Sequence, residues 1–154
     1  MARADDRDGG LVPAPLAGPC LADTTVWSKA RSHPALGDWF NAQVRDDLVT
    51  VCDVVILELL RSARDAKAFS RQSAMVEALR SIPTDRREHA RAREVQALLA
   101  RRGEHRGVPP TDLLVAATAE SGGIPVLHYD HDYDLITAAT GQPAHWVVPR
   151  GSLP

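Results

Sequence analysis

The sequence predicts an α/β fold in which a parallel sheet is covered by helices on both faces. Short apolar runs, consistent with buried strands, alternate with longer segments that carry apolar residues at helical spacing. This alternation is typical of parallel sheets, whose strands are joined by crossover helices. The chain has 154 residues, 44% of them hydrophobic and 25% charged, which is an ordinary composition for one globular domain.

The predicted elements run from residue 19 to near the end of the chain. Residues 1–18 are rich in aspartate, glycine and proline, which predicts a flexible extension before a domain over 19–154. Strands are predicted at 19–22, 48–51, 124–129 and 146–148. A turn or helix follows residue 23, and helices are predicted at 35–45, 54–65, 71–82, 88–102, 111–120 and 134–140. Thr24 or Thr25 is expected to cap the first helix, and Thr50 or Asp53 the helix over 54–65.

Four acidic residues lie within or beside apolar runs of the sequence, where packing gives no reason for a carboxylate. Asp23 and Asp130 each follow a predicted strand, Asp112 lies in the first turn of a helix, and Glu58 interrupts an apolar helical run. Ionised carboxylates are rarely buried unless they are paired or bind a metal. Ligands of open parallel sheets sit outside the carboxyl ends of the strands. These acids therefore predict one shared site for a divalent cation, with Mg²⁺ or Mn²⁺ preferred because both favour oxygen ligands.

Each of these acids also has a plainer interpretation. Asp112 can be a helix cap, and Asp23 and Asp130 can be turn residues. Glu58 can pair with Arg61 or Arg64 of its own helix. His128 and His131 flank Asp130, so that a mixed histidine and aspartate zinc site is an alternative to a hard-cation site.

Charge and cysteine content narrow the classes of function. The net charge of −2 and the pI of about 6.3 argue against a chain that is basic throughout, but arginines crowd residues 86–106. That cluster is either an RNA-binding surface or a solvated helix face with internal ion pairs. Neither a membrane span nor a secretory signal is predicted. Cys20 and Cys52 are expected to be reduced thiols in the cytosol.

Four segments together resemble a known family, the PIN-domain ribonucleases, and within it the VapC-type toxins of bacterial toxin–antitoxin pairs. They are Leu21-Ala22-Asp23-Thr24-Thr25-Val26-Trp27 and the stretches 52–61, 110–119 and 126–134. The resemblance implies a PIN-like three-layer α/β/α fold with a central, mainly parallel sheet of four to five strands. It implies a Mg²⁺- or Mn²⁺-dependent endoribonuclease whose most common target is transfer RNA. It also implies a cognate antitoxin, and either a homodimer or a toxin–antitoxin hetero-oligomer.

The resemblance also implies roles for particular residues. Asp23, Glu58, Asp112 and Asp130 take the catalytic acidic positions, and Asp23, Asp112 and Asp130 hold the metal. Thr24, Glu58 and Asp132 support the site, and the choice of fourth ligand among Asp130, Asp132 and Asp134 stays open. Arg86, Arg101 and Arg102 are the candidate RNA contacts in the arginine cluster. Two other functions remain open: a PIN-fold nuclease in general nucleic-acid processing, and a non-catalytic module for a basic peptide.

Overall fold

A five-stranded sheet forms the centre of the protein in a computed structural model that describes residues 12–154. The strands are β1 (Cys20–Ala22), β2 (Val49–Cys52), β3 (Arg80–Ile82), β4 (Val126–His128) and β5 (Ala144–Trp146). Their order is β3-β2-β1-β4-β5, and every neighbouring pair is parallel. The predicted parallel α/β architecture is therefore confirmed.

Seven helices in the described part of the chain cover the sheet. They are α1 (Thr24–Ser32), α2 (Pro34–Arg45), α3 (Asp53–Arg61), α4 (Ala66–Glu77), α5 (Arg86–Arg101), α6 (Pro110–Ser121) and α7 (Asp132–Thr140). Two apolar cores result. Leu21 packs in one core and Cys20 and Ala22 in the other, as the alternation of side chains along a strand requires. The three layers match the predicted arrangement.

One predicted element has the wrong type. The sequence predicts a helix over 71–82, but α4 ends at Glu77 and Arg80–Ile82 form β3. This strand lies at the edge of the sheet and pairs only with β2 among the described strands. Arg80 and Ser81 are exposed and Ile82 is half-buried, so the strand lacks the apolar run by which buried strands are recognised.

Several predicted boundaries and caps also differ. Asp23, and not Thr24 or Thr25, caps α1 by accepting a hydrogen bond from the Thr25 backbone N–H. Helix α3 follows Cys52 without a side-chain cap and ends at Arg61 instead of residue 65. The last strand ends at Trp146, whereas Val147 and Val148 are buried beyond it.

The segment before β1 is only partly described. Residues 1–11, most of the predicted flexible extension, lie outside the described residues. The remaining part contacts α2: the Leu16 backbone N–H donates to Gln43, and the indole N–H of Trp39 donates to the Ala14 carbonyl oxygen. In the described part of the chain, no helix is both long and apolar enough to cross a membrane.

Candidate metal centre

Asp23 directly follows β1 at the carboxyl edge of the sheet, and both of its carboxylate oxygens accept hydrogen bonds. Its Oδ2 accepts hydrogen bonds from the Thr25 backbone N–H at 3.1 Å and from the Thr25 hydroxyl at 2.7 Å. Its Oδ1 accepts from the Tyr133 hydroxyl at 2.8 Å. The residue is only 3% exposed. These three donors stabilise a buried carboxylate without any ion.

Tyr133 and Thr25 join distant parts of the chain around Asp23. Tyr133 lies on α7 and is fully buried, and its ring packs 4.9 Å from that of His128. The Thr25 hydroxyl also accepts from the Tyr129 backbone N–H at 3.0 Å. The sequence analysis considered Thr25 only as a helix cap and gave Tyr133 no role at the site. A hydroxyl residue two positions after an acid was the available signal.

Asp112 lies in the first turn of α6 and has the opposite environment. Its Oδ2 is buried and has no hydrogen-bond partner among residues 12–154. Burial raises the pKa of the Asp112 carboxyl to about 8, with further contributions from the negative charges of Asp23, Asp130, Asp132 and Glu58. Like charges and desolvation both disfavour the ionised form. The four predicted acids are therefore close enough for their charges to act on one group.

Asp130 and Asp132 approach Asp112 from the loop after β4 and the start of α7. Among the described residues, one carboxylate oxygen of each of Asp112, Asp130 and Asp132 lies within 4.8 Å of the others. The Asp132 backbone N–H donates to Asp130 Oδ1 at 2.9 Å, which fixes the loop. Burial and the charge of Asp130 raise the pKa of Asp132. The sequence analysis named Asp23 as the third metal ligand beside Asp112 and Asp130. The third member of this trio in the structure is Asp132 instead.

Asp134 and the neighbouring histidines are engaged elsewhere. Asp134 Oδ1 accepts from the Trp146 indole at 3.0 Å, and its Oδ2 lies 3.2 Å from His131 Nδ1. His128 Nδ1 accepts from the Asp130 backbone N–H at 3.1 Å, and burial lowers the pKa of this imidazole. Neither histidine belongs to the acidic trio in the described chain. The geometry therefore gives no support to a mixed histidine and aspartate zinc site.

Glu58 reaches the site from the second turn of α3. Its Oε2 accepts a hydrogen bond from the Thr24 hydroxyl at 3.0 Å. Within residues 12–154 it forms no ion pair with Arg61 or Arg64, and Arg64 instead approaches Asp65 at 3.4 Å. The Thr24 hydroxyl thus positions Glu58. The alternative interpretation, an ion pair of Glu58 with an arginine of its own helix, is not found among the described residues.

The arginine cluster divides between the two ends of α5. Arg91 bonds Glu120 near the end of α6, at 2.7 Å, and Glu94 at 3.1 Å. Arg86 precedes it by more than one turn, so it lies toward the C-terminal end of α6, and Asp112 lies in the first turn at the other end. Arg101 and Arg102 are exposed at the other end of α5, and Arg102 pairs with Glu104 at 3.2 Å. Part of the cluster is therefore a solvated face with internal ion pairs.

The trio fits a hard divalent cation. A buried carboxylate oxygen without a donor is costly unless a positive charge satisfies it. Asp112 Oδ2 is such an atom, and two further carboxylates stand beside it. Three oxygen ligands with water completing the shell match the preference of Mg²⁺ and Mn²⁺.

Comparisons with known proteins agree with this geometry. The family model described as "PIN domain" matches residues 20–138. The chain is 39% identical over 133 residues to Ribonuclease VapC18 of Mycobacterium tuberculosis, covering 85% of this chain and 96% of that protein. It is also 39% identical to Ribonuclease VapC51 of the same organism, with 86% and 96% covered.

The fold is likewise that of solved structures. DNA-bound VapBC from Salmonella typhimurium superposes with a TM-score of 0.62 at 22% identity, over 83% of this chain and 97% of that one. VapBC-5 from Mycobacterium tuberculosis superposes with a TM-score of 0.55 at 23% identity, over 82% and 97%. At identities below 25%, the structural similarity shows the fold alone. Membership of the family is shown by the sequence matches. The chain belongs to the PIN-domain family and, within it, to the VapC group.

Proposed function

We propose that this protein is a metal-dependent endoribonuclease toxin that hydrolyses RNA phosphodiester bonds and is neutralised by a cognate antitoxin. The observation that carries the proposal is the unpartnered buried oxygen of Asp112 beside Asp130 and Asp132. Two similar relatives bear the name ribonuclease. Transfer RNA is the proposed target, on the resemblance alone.

Each acid of the site has a distinct proposed task. Asp112, Asp130 and Asp132 would hold Mg²⁺ or Mn²⁺, and Asp23 would act as a fixed neighbouring charge or a ligand through water. A bound divalent ion supplies Lewis acidity, a more acidic water and stabilisation of the leaving oxygen. Glu58, aligned by Thr24 at 3.0 Å, would orient the attacking water.

RNA and protein partners are part of the same proposal. Arg101 and Arg102 end α5 just before the loop that leads into α6, and they would contact RNA phosphates. Arg86 lies toward the C-terminal end of α6, away from the acids, and would contribute less. Because the solved neighbours are VapBC assemblies, we propose a toxin–antitoxin hetero-oligomer built on a homodimer. Free, buried Cys20 and Cys52 suit the cytosol.

A cleavage assay with purified, chelator-treated protein tests the function. Total transfer RNA should be cut with Mg²⁺ or Mn²⁺ and should stay intact in EDTA. Asp112→Asn, purified in the same way, is the matched inactive control. Cleavage that persists in EDTA or in Asp112→Asn would refute the metal mechanism. No cleavage under any condition would favour the non-catalytic module that binds a basic peptide.

The toxin role needs a separate experiment in cells. Brief induction should arrest growth, co-expression of the adjacent antitoxin should restore it, and sequencing of new 5′ ends should identify the cut RNA. Growth unaffected by an active enzyme would favour a general nucleic-acid processing nuclease instead.

A further inference from the structure

A groove with hydroxyl-bearing and charged residues in its walls opens between α1 and α3, beside the acids of the site. It has a volume of about 280 Å³, and its lining includes Thr24, Ser28, Arg31, Glu58, Arg61 and Ser62. Thr24, Ser28 and Arg31 recur at the helical spacing that places side chains on one face of α1. The hydrogen bond from Thr24 to Glu58 joins this groove directly to the acidic site.

The charge of the groove changes along its length. Glu58 and Thr24 form the end at the acids, whereas Arg31 lies seven residues further along α1, about 10 Å away at the ordinary helical rise. Arg61 lies one turn after Glu58 on α3. The groove therefore has an acidic end that attracts cations. Beyond that end its walls carry two guanidinium groups.

Arg31 and Arg61 are both available to a ligand in the groove. Both are exposed, and neither has a carboxylate partner within 4.0 Å among residues 12–154. Arg91, by contrast, is paired with Glu120 and Glu94. Guanidinium groups bind phosphate oxygens bidentately. Hydroxyl groups in the same walls are further donors to such oxygens.

We propose that this groove binds an RNA phosphate adjacent to the scissile one, with Arg31 and Arg61 as its ligands. The inference rests on the proposed ribonuclease function and adds a second anchoring point for the substrate. A chain held at both ends of the groove presents one phosphodiester to the acids in a fixed direction. Without such cations, the acidic cluster repels the polyanion on which it acts.

Arg45 provides a matched control for these two arginines. Arg31, Arg45 and Arg61 are arginines in the last turns of α1, α2 and α3, respectively. A cation in that position stabilises the helix end in any protein. Arg45 is exposed and lies outside the lining of the groove. A purely structural role therefore predicts equal effects on thermal stability and none on RNA binding at all three positions.

The test measures RNA binding and cleavage by the full chain. Arg31→Gln, Arg61→Gln and Arg45→Gln are each made in the Asp112→Asn background, with Mg²⁺ and a short fluorescein-labelled single-stranded RNA as the probe. We expect the first two to weaken binding about three- to tenfold each and to flatten the slope of log Kd against log salt by about 0.7 each. Arg45→Gln should change neither quantity. Arg31→Lys should retain most of the salt dependence.

Cleavage of total transfer RNA by the otherwise wild-type chains completes the test. Arg31→Gln and Arg61→Gln should raise KM with little change in kcat. Binding, slope and KM equal to those of Arg45→Gln would overturn the subsite while the nuclease stands. Loss of antitoxin affinity with unchanged RNA binding would assign the groove to the protein partner and also overturn it. If the wild type cuts no RNA, the proposed function fails and the subsite with it.

Discussion

Asp23 and Asp112 occupy the same acidic site in opposite conditions. Asp23 is almost wholly buried and accepts three hydrogen bonds. Asp112 is less buried, yet its Oδ2 has no partner in the described chain and its pKa is raised to about 8. The fold supplies hydrogen-bond donors to both oxygens of Asp23. Among the described residues it supplies none to Asp112 Oδ2, which a cation can bind instead. Burial alone therefore does not identify a metal ligand; the number of donors around each oxygen does.

Substituting asparagine at each position should give the largest contrast. We expect Asp112→Asn and Asp23→Asn both to reduce cleavage by about 10³-fold or more, because each disturbs the acidic site. Their effects on stability should have opposite signs. In EDTA at neutral pH, Asp112→Asn should stabilise the fold by about 1–2 kcal/mol. The carboxyl, with a pKa of about 8 in the folded chain, must take up a proton on folding, whereas an amide is neutral in both states and can donate to Asp130 or Asp132.

Asp23→Asn should instead destabilise the fold by about 1–3 kcal/mol, because the amide nitrogen would face the Tyr133 or Thr25 donors. Thermal unfolding of both variants in EDTA measures the difference. Two variants that shift the melting temperature in the same direction would contradict the distinction between a satisfied and an unsatisfied carboxylate.

The loop after β4 offers a second contrast, between Asp132 and Asp134. Asp132 lies in the trio with Asp112 and Asp130, whereas both oxygens of Asp134 face Trp146 and His131. We expect Asp132→Asn to weaken Mn²⁺ binding about 10- to 100-fold and Asp134→Asn to weaken it less than about threefold. Titration calorimetry with Mn²⁺ gives both constants. Equal losses would mean that the trio has been chosen wrongly.

The dependence of stability on pH should follow Asp112. Its pKa in the folded chain, about 8, exceeds the ordinary value of 3.8. Between about pH 4 and about pH 8 the folded state keeps a proton that the unfolded state has released, so stability should fall as the pH rises through this window. Denaturant unfolding in EDTA should show this loss in the wild type. Asp112→Asn should flatten it, and Mg²⁺ should oppose it most at the alkaline end. A loss of equal slope in Asp112→Asn would assign it to other groups.

The sequence predicted the parts of this molecule that rest on apolar patterns. Four of the five strands, the parallel sheet and the helix that carries Asp112 follow from runs such as 113–117 and 124–129. The edge strand Arg80–Ile82 was missed because its pairing with β2, and not burial, defines it. The convergence of acids was predicted from two strand ends, a first helical turn and an acid that interrupts an apolar helical run.

Which of those acids are held by hydrogen bonds and which are left to bind a metal could not be predicted in the same way. It depends on which donors reach each oxygen, and those donors come from far along the chain. The Tyr133 hydroxyl lies 110 residues from Asp23, and Tyr129 lies 104 residues from Thr25. Asp132 and Asp134 have the same chemistry and lie only two residues apart at the start of α7. The bond from Trp146 to Asp134 separates them, and that bond depends on the position of β5.

Tyr133→Phe provides the smallest and most selective change. It removes one hydroxyl from a buried ring and leaves Asp23 Oδ1 without its donor, while the Thr25 bonds to Oδ2 remain. We expect a destabilisation of about 1 kcal/mol and a fall in kcat of about threefold, with KM unchanged, because Asp23 would lose its fixed orientation but keep its charge. Tyr129→Phe is the matched control, since that hydroxyl bonds only the Leu153 backbone in the described chain. If Tyr133→Phe matched Tyr129→Phe in kcat, the hydroxyl would serve the core alone, and Thr25 would suffice to hold Asp23.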